Sequence, residues 1–332
     1  KIHHNAIPRL GGISFMPSML LSFAAALYVI NTTDKQVTIN LWSIYFLLSM
    51  LMIYVMGIVD DILGLSPLIK FIVQIIAACA LPLSGLYINN MYGFFGIHEI
   101  PYYIGFPLTV LTIVFIDNAI LIDGIDGLAA SLSIIALSGF LYMFIVQNVW
   151  SYSILIAGLI GVLVAFMYFN LFGSAENNRK IFMGDSGSLT LGYLLGFLCI
   201  KYSMNNTAVM SHHKFDFIIA FTLLLVPMFD VVRVFMMRIY HKRSPFSADK
   251  THIHHKFMSA GCTQHKALVA ILLLAVFYVA ANHFMLMAMS NTVVFIIDVL
   301  IYIGVNLALN YIIMRKHLHV GDIKVVSERV KS

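Results

Sequence analysis

The chain has 332 residues, of which 61% are hydrophobic and only 11% charged, with a formal net charge of +5. A water-soluble domain carries about 25% charged residues, so the composition excludes a soluble globular protein and describes an integral membrane one. Three cysteines, Cys79, Cys199 and Cys262, have no metal-like spacing and read as small apolar fillers.

Apolar runs approaching or exceeding the roughly 20 residues needed to cross a bilayer lie at 14–31, 41–59, 68–88, 104–122, 128–147, 151–172, 187–202, 215–237, 267–289 and 292–314. They predict an all-α, polytopic helix bundle with about ten transmembrane helices. The runs are continuous, whereas a β-barrel would alternate in segments of about ten residues. The run at 187–202 is short and bears glycine. The loop 89–103, NNMYGFFGIHEIPYY, predicts a small β-hairpin on the outer surface. No linker, repeat or low-complexity stretch divides the chain, so a single domain over 1–332 is expected, with the tail at 315–332 a solvated end. Of the 20 lysines and arginines, only Lys35, Lys201 and Lys214 fall on the side opposite the termini. The positive-inside rule then makes the termini cytoplasmic.

The acidic residues emerge on that same side. A carboxylate near hydrocarbon is costly and needs a counter-charge or a task. Asp60 and Asp61 end an apolar helix, with Gly64 as its stop. Adjacent helical residues point about 100° apart, so one is expected to face a metal or substrate and the other a cation such as Lys70. Asp123 and Asp126, in DGIDG, share a face if the helix continues, and the glycines admit a phosphate or a second backbone. Asp185, in FMGDSGS, precedes an apolar helix that Asp185, Ser186 and Ser188 are placed to cap. The segment RSPFSADKTHIHHKF carries His252, His254 and His255 among Arg243, Lys250 and Lys256; His252 and His255 share a face if helical. A basic loop of this kind suits phosphate or sugar better than zinc. Asn282, His283 and Asp298 lie deeper in the last two helices and read as buried hydrogen-bonded groups.

The stretches IPRLGGISF, VDDILGLSPLIKF, DGIDGLA, IFMGDSGSLTLGY, PMFDVVRV and SPFSADKTHIHHKF, in this order along nearly the whole chain, resemble the polyprenyl-phosphate N-acetylhexosamine-1-phosphate transferase family (glycosyltransferase family 4). The HIHH form is similar to its N-acetylglucosamine-1-phosphate branch, which initiates O-antigen and teichoic-acid-type glycans. The resemblance implies a multi-pass protein of the bacterial inner membrane with its active site facing the cytoplasm. It implies a UDP-N-acetylhexosamine donor, undecaprenyl phosphate as acceptor, UMP as product, and Mg²⁺, with Mn²⁺ as an alternative. It also implies a metal at Asp185 and Asp123, and catalytic work by Asp60, Asp61, Asp123, Asp126 and the histidines 252, 254 and 255. Lys70, Asn170 and Phe182 become nucleotide and phosphate contacts. Membrane lipid is a partner, nucleic acid is not, and a homodimer is allowed. A lipid phosphate is already ionised at neutral pH, so direct attack on the donor is favoured over a covalent aspartyl intermediate.

Two departures stand out. The family has one more helix ahead of the PRLGG loop, and none precedes it here. The family also places asparagines three and six residues ahead of DGxDG, where this chain has Ile120 and Asp117, as if one residue were lost. Either the site lacks an amide, or Asp117 and Asn118 compensate through a π-bulge. Two other readings are a murein-precursor transferase and a cation- or proton-coupled transporter. A transporter would place its acids at mid-membrane in two related halves.

Overall fold

A computed structural model describes residues 10–31, 41–121, 124–174, 179–207, 210–211, 214–242 and 251–329. A short 3₁₀ turn, Gly11–Ser14, leads into α1 (Phe15–Asn31), α2 (Leu41–Leu63) and α3 (Pro67–Leu83). A hairpin of β1 (Asn90–Phe94) and β2 (Ile97–Glu99) follows. Then come α4 (Tyr102–Ile120), α5 (Leu128–Val146), α6 (Trp150–Phe172), α7 (Gly184–Ser203), α8 (Asp216–Thr222), α9 (Leu225–Tyr240), α10 (Ile253–Ala260), α11 (Gln264–Met285) and α12 (Asn291–Arg329). The all-α bundle and the small antiparallel hairpin are those expected from the sequence.

Among the described residues, seven helices are long and apolar enough to cross a membrane, or eight if α8 and α9, bent by 73°, form one span. The sequence reading expected ten. The difference lies in α3 and α7. Helix α3 has 17 residues, with Ser66 capping its first turn, and at 1.5 Å per residue it falls short of a roughly 30 Å hydrocarbon layer. Helix α7 is long enough but opens with GDSGS, and every residue from Ser186 to Ser203 is buried. Its surroundings are therefore protein and not lipid, and its sequence need not be uniformly apolar.

Small residues bring the neighbours onto α7. A Cβ at Gly57 of α2 would lie 2.5 Å from Ser186 Cα, and one at Gly192 would lie 2.6 Å from Asp117 Cα of α4. Backbones pack directly at both places, as small residues permit in membrane bundles. The hydroxyls of α7 turn inward to protein acceptors: Thr190 donates to the Ser186 carbonyl at 2.6 Å, and Tyr193 donates to Ser49 Oγ of α2. Outward-facing residues such as Leu21, Leu111 and Leu307 stay exposed, where lipid tails are their solvent.

The two ends of the bundle differ. One carries the hairpin, held by mutual hydrogen bonds between Asn89 and Asn205 and by the Phe95 N–H on Thr292. The other gathers the C-terminal ends of α2, α4 and α6 and the N-terminal ends of α3, α5 and α7. The acidic residues stand at that second end.

Candidate active site

Helix α2 stops where Gly64 takes φ +68°, and the Gly64 N–H closes on the Asp60 carbonyl at 2.8 Å. This leaves two carboxylates at the helix end with separate duties. Asp60 is buried; its Oδ1 accepts the Leu65 N–H at 2.7 Å and its Oδ2 accepts Lys70 Nζ at 2.9 Å. Lys70, on the first turn of α3, also donates to Asp185 Oδ2 at 2.8 Å. One lysine thus bridges two carboxylates from α2 and α7.

Asp61 points elsewhere. Its two oxygens accept the backbone N–H groups of Asp185 at 2.8 Å and Ser186 at 2.9 Å. The start of α7 is therefore capped from α2. The sequence reading gave this task to Asp185, Ser186 and Ser188, but the N-cap residue is Met183 and no side chain of its own caps the helix. The physical need is the same, since the first N–H groups of a helix have no internal partner and favour an anion. A carboxylate meets it here.

Residues 124–127, the described part of DGIDG, form a turn. Helix α4 ends at Ile120 and α5 begins at Leu128, after Gly127 at φ +77°. Asp126 therefore stands outside both helices, and Asp123, on which the expectation of a shared helical face also rests, lies outside the described residues. Asp126 accepts Lys180 Nζ at 2.6 Å. Asn170 of α6 is buried, with its Oδ1 on the Gly127 N–H at 2.7 Å and its Nδ2 on the Ile181 carbonyl at 2.9 Å. Its amide brackets the turn to the strand of chain that carries Phe182. Phe182 is partly exposed, and its carbonyl accepts the Gly11 N–H at 3.0 Å.

The histidines reach this turn. Helix α10 starts at Ile253, so His252 is its N-cap residue and stands outside the helix. The shared face expected for His252 and His255 does not form; the ring of His252 lies parallel to that of His254, 6.0 Å between centroids. His254 is 2% exposed and rests on Gly124, where a Cβ would come within 2.0 Å of Nε2. Only glycine admits the imidazole. Neither His254 nitrogen has a hydrogen-bond partner among the described residues. Burial, helped by His255 and His252 and opposed by Asp230, lowers its pKa to about 4, so the ring is neutral at pH 7. A buried polar group left unmatched costs about 1–3 kcal/mol. Lys256, bonded to Asn306 Oδ1 at 2.9 Å, has its pKa lowered to about 8 by burial and then by Arg233.

The irregular segment resolves into a network that sequence reasoning missed. Asp117 is buried, its Oδ2 accepting Gln74 Nε2 at 2.8 Å. Asn118 donates to Gln74 Oε1 at 3.2 Å and to the Val114 carbonyl. The lone glutamine in the apolar run of α3, one turn after Lys70, was the available signal. Residues 102–120 are α-helical throughout, so no π-bulge restores the register, and Ile120 packs into the apolar core. We therefore predict that an asparagine inserted between Ile120 and Leu121 raises turnover, because it follows the Gln74 contacts and leaves them intact. Asp117→Ala, which strips Gln74 of its acceptor, should cost about 1–3 kcal/mol of stability. Turnover and thermal unfolding of the parent and both variants check this; a harmful insertion would show that the segment is already complete.

Asp230 and Arg233, within PMFDVVRV, and Tyr302 were assigned no role from the sequence, although an aspartate and arginine three apart in an apolar helix is a legible pair. Asn282 donates to Thr222 and to Asp298, both at 2.8 Å, a buried hydrogen-bonded set at the other end of the bundle, whereas His283, expected to be buried with them, is exposed.

These features define a multi-pass membrane protein with a lysine-bridged acidic site at one end of its bundle. Residues 43–203, which run from α2 to the end of α7 and include Asp60, Lys70, Asp126 and Asp185, match glycosyl transferase family 4. The chain is 32% identical over 284 residues to a probable undecaprenyl-phosphate N-acetylglucosaminyl 1-phosphate transferase of Bacillus subtilis (strain 168), covering 82% of this chain and 72% of that one. It is 29% identical over 280 residues to the undecaprenyl-phosphate alpha-N-acetylglucosaminyl 1-phosphate transferase of Yersinia pestis, covering 83% and 72%. Against the protein of that name in Escherichia coli (strain K12), identity is 28% over 280 residues, covering 83% and 71%. The chain belongs to glycosyl transferase family 4 and is a phosphoglycosyl transferase.

Proposed function

We propose that this enzyme transfers N-acetylglucosamine-1-phosphate from a UDP-sugar to undecaprenyl phosphate, giving the lipid diphosphate sugar and UMP at the cytoplasmic membrane face. The observation that carries the reading is the seating of His254 on Gly124. It joins the histidine segment to the acidic turn in one site, with two ring nitrogens that have no hydrogen-bond partner among the described residues. Lipid and soluble substrates can meet there because the site stands at the end of the bundle.

Two polyanions must approach each other, so fixed cations have to offset their charge. Lys70 and Lys180 supply them, each held by a carboxylate at 2.9 Å or less. Asp185 and Asp60 offer oxygen donors only, the hard ligands Mg²⁺ prefers, and Mg²⁺ completes its shell with phosphate and water and does not require an all-protein cage. Asp185 would hold the ion, with Asp123 as its partner. When bound, it supplies positive charge to the diphosphate. Asp60, hydrogen-bonded to Lys70, orients that ammonium towards the phosphates; the neutral His254 gives or accepts a hydrogen bond at the sugar-phosphate.

Purified enzyme given undecaprenyl phosphate and a panel of UDP-sugars tests the reading. UMP release is expected with UDP-N-acetylglucosamine and Mg²⁺, and its loss on adding EDTA. Release only with UDP-N-acetylmuramoyl-pentapeptide would identify a murein-precursor enzyme instead. For the orientation, we predict that single cysteines placed at 89–103 react with an impermeant reagent in intact cells, whereas those at 251–256 react only after lysis. The reverse pattern would invert the topology.

A further inference from the structure

Asp230 of α9 is fully buried and makes more contacts than an ion pair needs. Its Oδ1 accepts Arg233 Nη2 at 2.7 Å, the Tyr302 hydroxyl at 3.1 Å and the Ile253 N–H at 3.1 Å. Its Oδ2 accepts His252 Nδ1 at 2.8 Å. Arg233 reaches in turn to the Thr251 carbonyl. Residues 251, 252 and 253 are each tied to this one pair, so the entry to α10 is set by α9 and α12.

We propose that Asp230 is a positioning residue for the transfer reaction: it fixes the tautomer and direction of His252, and through the parallel rings the neighbouring His254. The inference rests on the reading that the histidine segment meets the donor substrate. A carboxylate ion-paired with Arg233 has no hydrogen to give. The hydrogen between Asp230 and His252 therefore sits on Nδ1, and in the neutral ring Nε2 keeps its lone pair for what enters the site. The same arrangement orients histidine ligands in metal sites, where a carboxylate holds one nitrogen so that the other can act. Here the far nitrogen is offered to a hydroxyl or amide of the sugar, a hydrogen-bond donor. Arg233 alone would be satisfied by any nearby acceptor; the bond to the imidazole at 2.8 Å has no such substitute.

Asp230→Asn preserves the shape but presents an N–H₂ that can donate to Nδ1, moving the ring hydrogen to Nε2. The test is ¹⁵N NMR of the full-length, histidine-labelled enzyme in lipid nanodiscs, with His252 assigned by the loss of its signals in His252→Gln. The parent is expected to show Nδ1–H, Asp230→Asn to show Nε2–H, and Asp230→Glu to retain Nδ1–H. Turnover should fall about 10- to 100-fold in Asp230→Asn, the range for second-layer groups, and adding His252→Gln to it should cost little more. If Asp230→Asn does not fold because Arg233 is left unpaired, Asp230→Asn with Arg233→Gln removes that charge and carries the same measurement. An Nε2–H tautomer in the parent, an unchanged tautomer in the asparagine variants, or fully multiplicative losses with His252→Gln would each overturn the proposal. A parent that releases no UMP from any UDP-sugar would instead sink the proposed function, while the NMR comparison would still decide the tautomer.

Discussion

Asp185→Asn should abolish Mg²⁺-dependent turnover and leave the fold in place. The two effects separate because the start of α7 is held by Asp61 on the backbone N–H groups of Asp185 and Ser186. The Asp185 side chain takes no part in that cap; its carboxylate faces Lys70. Asparagine keeps the shape and the backbone N–H but loses the charge a metal would need. Losing a metal ligand should remove about 4 kcal/mol of transition-state stabilisation, on the order of 10³-fold in rate. UMP release and thermal unfolding, measured side by side, check both halves. Near-parental turnover would mean that Asp185 serves only to hold Lys70.

Lys70→Met should be the most damaging change at the site for stability as well as activity. Among the described residues, Lys70 is the single cation between Asp60 and Asp185, at 2.9 and 2.8 Å. Its loss leaves Asp60, with its side chain only 7% exposed, beside a second carboxylate with no counter-charge. Breaking a buried pair by removing one partner costs about 3–5 kcal/mol, and the partial access of Lys70 and Asp185 to solvent puts the expected cost near the lower bound. The variant should regain part of its melting temperature in millimolar Mg²⁺, because two facing carboxylates then bind the divalent ion in place of the ammonium. The parent should gain less. Equal gains in both proteins would show that Lys70 does not stand between the acids in solution.

The transmembrane character, the hairpin and the polar end of the bundle were legible because they rest on local properties. A long apolar run has to be a helix wherever its backbone groups cannot reach water, and Gly64 ends α2 by its own conformational freedom. The acidic residues could be picked out for a similar reason: a carboxylate in an apolar chain is conspicuous whatever surrounds it. The count of spans was less legible. A window of hydropathy records composition and not surroundings, so α7, enclosed by protein from Ser186 to Ser203, was indistinguishable from a short lipid-facing helix.

Sequence by itself determined the class of protein, the end of the bundle where its chemistry is placed, and most of the residue types involved. Only the tertiary structure decided who partners whom. Asp61 caps a helix 124 residues away, Asn170 brackets a turn 43 residues away, and Asp230 holds a histidine 22 residues on. None of these pairings has a spacing to betray it. Adjacent residues such as Asp60 and Asp61 look equivalent in sequence, but the turn of the helix sends one to Lys70 and the other to the backbone of α7. Helix rotation and long-range packing assign such roles, and both come into being only when the bundle has formed.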